Sequence, residues 1–373
     1  MTGLPKLAVC GSGNAGLSIA ADSAFKGFAV RLFELDSLNG LIRPIQDAGG
    51  IEVTPTSETT SGRTGFVALE KATTDPEEAV AGADVIMITV PAMYHAAFFD
   101  AVAPYLCDGQ IVLFNTAYWA CLRLLPRMRS LPAKIILAES NIMPYAAQRD
   151  GGNRVHITRY KRNFRVAALP GRESDHVFAI LRQVYSQFEK VETVLDIDVA
   201  SGGNPAMTAP MTIPMAGLYF DRFRGGKLGA MATSMGSRLL NAYDADRERL
   251  ARLLGSERFE SQISYYCGTY GYKGDDMAQI MRKSDTIDWY ATSDYVKQLI
   301  DEDLVYSYVP MVRMADSLGI DLAATRAIVE VLGIMLETDY WGMGPTLEDL
   351  GLAGLNLTQV KNLLMTCDPN ATS

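Results

Sequence analysis

The residues whose types and spacing could do chemistry start with Gly11-Ser12-Gly13-Asn14-Ala15-Gly16. This G-x-G-x-x-G run directly follows the apolar stretch LAVC and directly precedes LSIAADSAF, the order of a strand, a turn and a helix. In that context the three glycines have separate tasks. Gly11 permits the tight turn, Gly13 lets backbone amides approach a pyrophosphate, and Gly16 allows close helix–strand packing. The free N–H groups and partial positive charge of the helix start favour an anion there. Glu34 closes the next strand-like run, AVRLFE, close to the separation of about 20 residues expected of a ribose-binding acid. Ser12, Asn14 and Ala15 complete the cofactor turn. A carboxylate at position 34 would hold both ribose hydroxyls of NAD and repel the extra phosphate of NADP. The other reading is that Glu34 only ends a strand, with Asp36 capping the next helix. Arg43, farther along, leaves room for NADP. Val90 and Pro91, after a further strand, are expected to line the path of the nicotinamide half, while His95 is either a catalytic acid or a packing residue at a helix start.

Short apolar or β-branched runs at Leu7–Cys10, Ala29–Glu34, Asp84–Val90, Gln110–Asn115 and Lys134–Ala138 alternate with helical patterns. Such alternation implies parallel strands joined by crossover helices. Ile51–Val53 and Gly65–Leu69 read as a small hairpin inserted into that sheet. Strands at Arg154–Ile157 and Phe164–Ala168, a helix near Ser174–Phe188 and a strand at Val191–Leu195 complete the first domain. After Asp198 the Gly- and Pro-rich SGGNPAMTAP marks a change of character. The expected fold is α/β: a Rossmann doubly wound parallel sheet over residues 1–198, then a mostly α-helical domain over 199–373. The helices of the second half include Ala323–Thr338 and one beginning near Thr358.

Composition narrows the function classes. A formal charge of −9 disfavours nucleic acid and acidic membrane surfaces, both of which need a clustered positive field. The apolar stretch around Ala83–Phe99 is broken by Pro91 and His95 and reads as a strand and a helix rather than a membrane span. Without a secretory signal at MTGLPKLAVCGSG, the expectation is a cytoplasmic protein. The five cysteines are scattered, and the three histidines form no HxxxH or HxH pattern, so no metal is expected.

Beyond these local signals the chain resembles the octopine/nopaline (opine) dehydrogenase family over nearly its whole length. The likeness rests on GSGNAG, VPAMYHAAF, Glu139-Ser140-Asn141, the loop Asn204-Pro205-Ala206-Met207-Thr208, Glu302-Asp303 followed by Val309-Pro310, and TLEDLGLAGL. The resemblance implies NADH- or NADPH-dependent, reversible reduction of the imine formed from an amine or amino acid and a 2-oxo acid or ketone. It also implies a homodimer and a His–Asp catalytic pair. Asp303 supplies the acid of that pair, but the histidine position holds Thr208. Just downstream, Met215-Ala216-Gly217-Leu218 stands where many relatives have Asn-Ala-Gly-Arg. Losing a guanidinium and a carboxamide there implies a less polar substrate wall.

A threonine hydroxyl cannot store a proton near neutral pH, so acid–base work passes to another group or to water held by Asp303. Tyr219, Tyr306, Lys227 and His95 are candidates, and spacing selects none of them. Asn204, Arg149, Tyr219 and Tyr306 are the candidate substrate contacts; Arg149 would grip a substrate carboxylate or a cofactor phosphate, or else belong to a solvated face. Two alternatives stay open: a carbonyl or 2-hydroxy-acid reductase, and a non-catalytic NAD(P)-binding regulator.

Overall fold

The computed structural model describes residues 3–162, 164–203, 208–213, 225–227, 229, 232–284 and 290–371. The chain divides into two compact units, Met1–Val194 and Leu195–Ser373. The first runs β1 (Leu7–Cys10), α1 (Asn14–Phe25), β2 (Val30–Phe33), α2 (Asn39–Ala48), β3 (Gly50–Val53), β4 (Gly65–Ala68), β5 (Lys71–Thr73), α3 (Pro76–Val80), β6 (Val85–Ile88), α4 (His95–Val102), β7 (Ile111–Asn115), α5 (Ala120–Arg129), β8 (Ile136–Ser140), β9 (Tyr145–Arg149), β10 (Arg154–Tyr160), β11 (Phe164–Leu169), α6 (Ser174–Val184) and β12 (Phe188–Lys190).

Strands β1, β6 and β7 are buried along their whole length, as continuous apolar runs must be when both faces of a parallel sheet are covered. They sit at the centre of an eight-stranded sheet of order β12-β11-β8-β7-β6-β1-β2-β5. From β5 to β8 every pairing is parallel, and β11 then joins β8 antiparallel. The chain builds outward from β1 through β2 to β5, then returns to β1's other side with β6. The reversal opens a crevice at the carboxyl ends of β1 and β6, where open α/β sheets bind their ligands.

Three expectations change. The segments read as a hairpin do pair, but in a separate four-stranded sheet of order β4-β3-β10-β9 rather than within the main one. The cause is the long-range parallel pairing of Glu52 with Arg154 and Val53 with Val155, which no local pattern announces. Strand β9, YAAQR, was missed because alanines and a glutamine carry little strand preference. The last strand is Phe188–Lys190, not Val191–Leu195: the Phe164 and Phe188 rings meet at 4.2 Å across directly paired positions and set the register.

The second unit contains α7 (Thr208–Thr212), β13 (Gly225–Lys227), α8 (Ser234–Leu254), α9 (Gln262–Tyr270), α10 (Met277–Lys283), β14 (Tyr290–Thr292), α11 (Ser293–Asp303), α12 (Val309–Ser317), α13 (Ala323–Met335), α14 (Tyr340–Met343) and α15 (Leu357–Thr366). Strands β13 and β14 form a small antiparallel ladder. A wide π-type turn, Leu304–Tyr308, joins α11 to α12 ahead of Pro310, whose nitrogen cannot donate to the turn before it. The final helix starts at Leu357 under a reciprocal cap between Asn356 and Gln359.

Candidate active site

The turn after β1 shows what each glycine is for. A Cβ on Gly16 would lie 1.7 Å from the Gly11 carbonyl oxygen, and one on Gly11, at φ +105°, would lie 2.5 Å from Val90 Cγ1. Both positions are closed to any side chain. Around Gly13, in contrast, a Cβ would meet nothing within 4 Å, so the space in front of the helix N-terminus is open. A dinucleotide pyrophosphate needs just such a combination of tight packing behind the turn and room before it.

Glu34 lies at the carboxyl end of β2, almost fully buried at 2% exposure. Its Oε2 accepts from both Ser12 N and Ser12 Oγ at 2.8 Å, and Leu35 N donates to Oε1 at 3.1 Å. The acid therefore holds the glycine turn from behind. Arg149, ending β9, is neither a free anion anchor nor a solvated side chain. Its guanidinium donates to Ser12 O at 2.7 Å and to the carbonyls of Leu41 and Gly152, and its own N–H bonds Asn14 Oδ1 at 2.9 Å. Partial burial lowers its pKa while nearby Glu34 opposes that. The arginine thus braces the turn and places a positive charge close to the Glu34 carboxylate.

On the other side of the crevice, Thr89 Oγ1 donates to Cys10 O at 2.9 Å and so fastens the end of β6 to the end of β1. Val90 and Pro91 follow directly. His95 is wholly buried, its Nε2 is 3.1 Å from Val90 O, and its ring lies 5.1 Å from that of Phe114. Burial, helped by the charge of Arg123, holds the imidazole well below its ordinary pKa and keeps it neutral. Arg123 Nη2 in turn donates to Ala92 O at 2.8 Å. His95 is thereby a positioning residue for the Val90–Pro91 segment, with no exposed face from which to reach a substrate.

In the second unit Asp303, the last residue of α11, is completely buried. Around it stand Ser307, one turn on, and the phenols Tyr243 and Tyr308, whose rings stack at 4.5 Å and 9°. Burial pushes both phenols above their ordinary pKa, and the Asp303 carboxylate adds to the rise, so both hydroxyls keep their protons. A buried ion pair, Arg247 to Asp244 at 2.5 Å, flanks the group; Asp244 is also held by the Gln262 N–H at 2.8 Å. Thr208 opens the short α7, which packs against α8 and α11. The fold thus brings the helix that Thr208 opens against the helix that ends in Asp303. Tyr306 is half-buried within the π-type turn and Lys227 is exposed on β13. Asn204, Met215, Leu218 and Tyr219 lie outside the described residues.

No family model matches the chain. An opine dehydrogenase from Arthrobacter sp. (strain 1C) is 25% identical over 363 residues, covering 95% of this chain and 97% of that protein. Octopine dehydrogenase solved with NADH and L-arginine superposes with a TM-score of 0.74 at 16% identity, covering 97% and 98% of the two chains. Yersinopine dehydrogenase with NADP+ bound gives 0.68 at 12% identity, covering 90% and 91%. The chain is thus similar to opine dehydrogenases over nearly its whole length.

The glycine turn and Glu34 were legible in the sequence, whereas the surroundings of Asp303 were legible only in part. Thr89 was missed although it stands at the end of an obvious strand, because a lone threonine carries no spacing signal. Tyr243 and Ser307 were missed because nothing in a linear pattern places the middle of α8 beside the end of α11. No described helix is long and apolar enough to cross a membrane, and no group of potential metal ligands occurs among the described residues.

Proposed function

We propose that the protein catalyses the NAD-dependent, reversible reductive condensation of an amine or amino acid with a 2-oxo acid or ketone, giving a secondary amine, with NADP as a weaker alternative cofactor. The observation that carries this reading is a likeness to an opine dehydrogenase that runs through both units, beyond the dinucleotide fold alone. The amides of the Gly11–Gly16 turn would hold the pyrophosphate and Glu34 the ribose hydroxyls, with Val90 and Pro91 beside the nicotinamide. When bound, the reduced cofactor supplies a hydride. Asp303 would stabilise the cationic C=N centre electrostatically and orient the water lost on condensation, two tasks that need no imidazole. The phenols near it would keep their protons in its neighbourhood.

Residues 1–198 form the cofactor domain in this reading and 199–373 the substrate and dimer domain, with Asn204, Tyr219 and Tyr306 on the substrate wall. Met215 and Leu218 favour a substrate with fewer carboxylates than a typical opine. The protein would work as a cytoplasmic homodimer, in keeping with five cysteines that form no disulfide among the described residues. The deciding experiment is a grid of amines against 2-oxo acids and simple ketones, with NADH and NADPH, following oxidation of the reduced cofactor. Turnover that requires an amine supports the proposal. Turnover on a ketone or 2-oxo acid alone replaces it with carbonyl reduction, and tight cofactor binding without turnover on any pair replaces it with a regulatory role.

A further inference from the structure

The first unit carries a second concavity that the cofactor does not explain. It has a volume of about 750 Å³ and is lined by the 59–62 loop, the end of β10, and the C-terminal part of α6 with the residues that follow. Lys26, at the end of α1, also borders it. Helix α1 is 12 residues long, so its two ends are about 18 Å apart, and this hollow lies at the end remote from the glycine turn.

Its lining contains three cationic side chains, Lys26, Arg162 and Arg182, and no carboxylate. Thr59, Thr60 and Ser61 also line it, but their hydroxyls donate to Arg63 O, Asp22 and Thr59 Oγ1, so the amides of Gln183 and Gln187 are the neutral side-chain donors that remain. In a chain of net charge −9 this local excess of positive charge is unusual. Lys26 and Arg182 stand at helix C-termini, where carbonyl ends already favour a cation, so those two alone carry little. Arg162 stands just past the end of a strand, where no helix accounts for it. Lys26 is also largely committed, 3.0 Å from Asp22 and 2.9 Å from Val184 O. Asp22 itself is closed off behind it. Burial would raise the pKa of that carboxyl, but Lys26 and hydrogen bonds from Ser61, Thr60 and Tyr145 outweigh burial and hold it ionised. The two arginines differ from Lys26: both are exposed, and neither has a carboxylate partner among the described residues.

We propose that this hollow binds a small organic or inorganic polyanion, a polycarboxylate or a phosphate compound, through Arg162 and Arg182, with the Gln183 and Gln187 amides on the same lining. A guanidinium fork fits either oxyanion bidentately, and the volume is that of a small-molecule site. The site is separate from the proposed reaction centre, so its test is independent of catalysis.

Citrate and pyrophosphate are titrated calorimetrically into protein saturated with NADH, so that the glycine turn is already occupied, with acetate at matched ionic strength as the single-charge control. The expected result is saturable binding of at least one of the two, with a Kd at or below about 1 mM. The double variant Arg162→Ser, Arg182→Ser should weaken it by at least about tenfold while leaving Tm and NADH affinity unchanged. Preference for citrate or for pyrophosphate identifies the carboxylate or the phosphate class. Absence of saturable binding, equal binding by the double variant, or equal competition by acetate overturns the proposal.

Discussion

The glycine turn and the surroundings of Asp303 are both proposed working parts, but they are built in opposite ways. The turn acts through backbone: the space at Gly13 is open, Gly11 and Gly16 are fixed by steric need, and Glu34, Ser12 and Arg149 hold it from behind. The Asp303 group acts through side chains, with a carboxylate, two phenols and a hydroxyl gathered from separate helices into a buried cluster. A backbone device tolerates many side chains as long as its shape survives. A side-chain device depends on individual atoms and fails when one is removed.

That contrast is broken or sharpened by four measurements. The largest effect is expected at Asp303. Asp303→Asn preserves shape and removes the charge, so turnover should fall by about 10²–10⁴-fold while the NADH dissociation constant stays within about twofold. Thr208→Val should cost less than about tenfold in kcat on the same substrate pair. Near-normal turnover by Asp303→Asn would remove the charge from the chemistry and leave the cluster a structural one.

The turn should respond to position rather than to chemistry. Gly13→Val places its Cβ where nothing lies within 4 Å, so Tm should hold within a few degrees, but the side chain fills the phosphate space and NADH affinity should fall by about 100-fold or more, roughly 3 kcal/mol. Gly16→Val places a Cβ against the Gly11 carbonyl, so the loss should appear in stability, about 1–3 kcal/mol or more, by urea unfolding. If the two variants lost stability equally, the open space at Gly13 would not have the meaning given to it.

A smaller change is expected for cofactor choice. Glu34→Gln keeps an acceptor for Ser12 and removes the negative charge beside Arg149, so the ratio of NADPH to NADH affinity should rise by about tenfold in fluorescence titrations. An unchanged ratio would confine Glu34 to holding the turn.

The smallest effect concerns His95. Its pKa in the folded protein is depressed, so below the ordinary value of 6.5 the unfolded chain binds a proton that the folded one does not. Stability should therefore fall as pH drops below 6.5, with a slope of at most about 1.4 kcal/mol per pH unit from this group. His95→Gln should remove that contribution, seen by comparing urea midpoints at pH 5 and pH 7, and should lower turnover only a few-fold. Loss of turnover as large as that of Asp303→Asn would return His95 to the chemistry.

How much could be read in advance follows the same division. Gly11–Gly16, Glu34 and the strand before Val90 were legible because strand, turn, helix and acid follow one another along the chain. The bracing role of Arg149 was not, since it depends on β9 lying beside the glycine turn, and β9 has a sequence with little strand character. His95 could be named from its place after a strand, but only its burial against Phe114 and Val90 separates a packing residue from an acid.

The amino-acid sequence by itself determined the central parallel strands, the dinucleotide turn and its acid, because continuous apolar runs and glycine spacings express forces that act between residues close in the chain. Only the tertiary structure decided that β3 and β4 join β10 and β9 in a second sheet, that Glu34 and Arg149 brace one turn together, and that Tyr243 stands with Ser307 and Asp303. These pairings join distant segments through hydrogen bonds and burial, and a linear pattern holds no record of which buried polar group will find which partner.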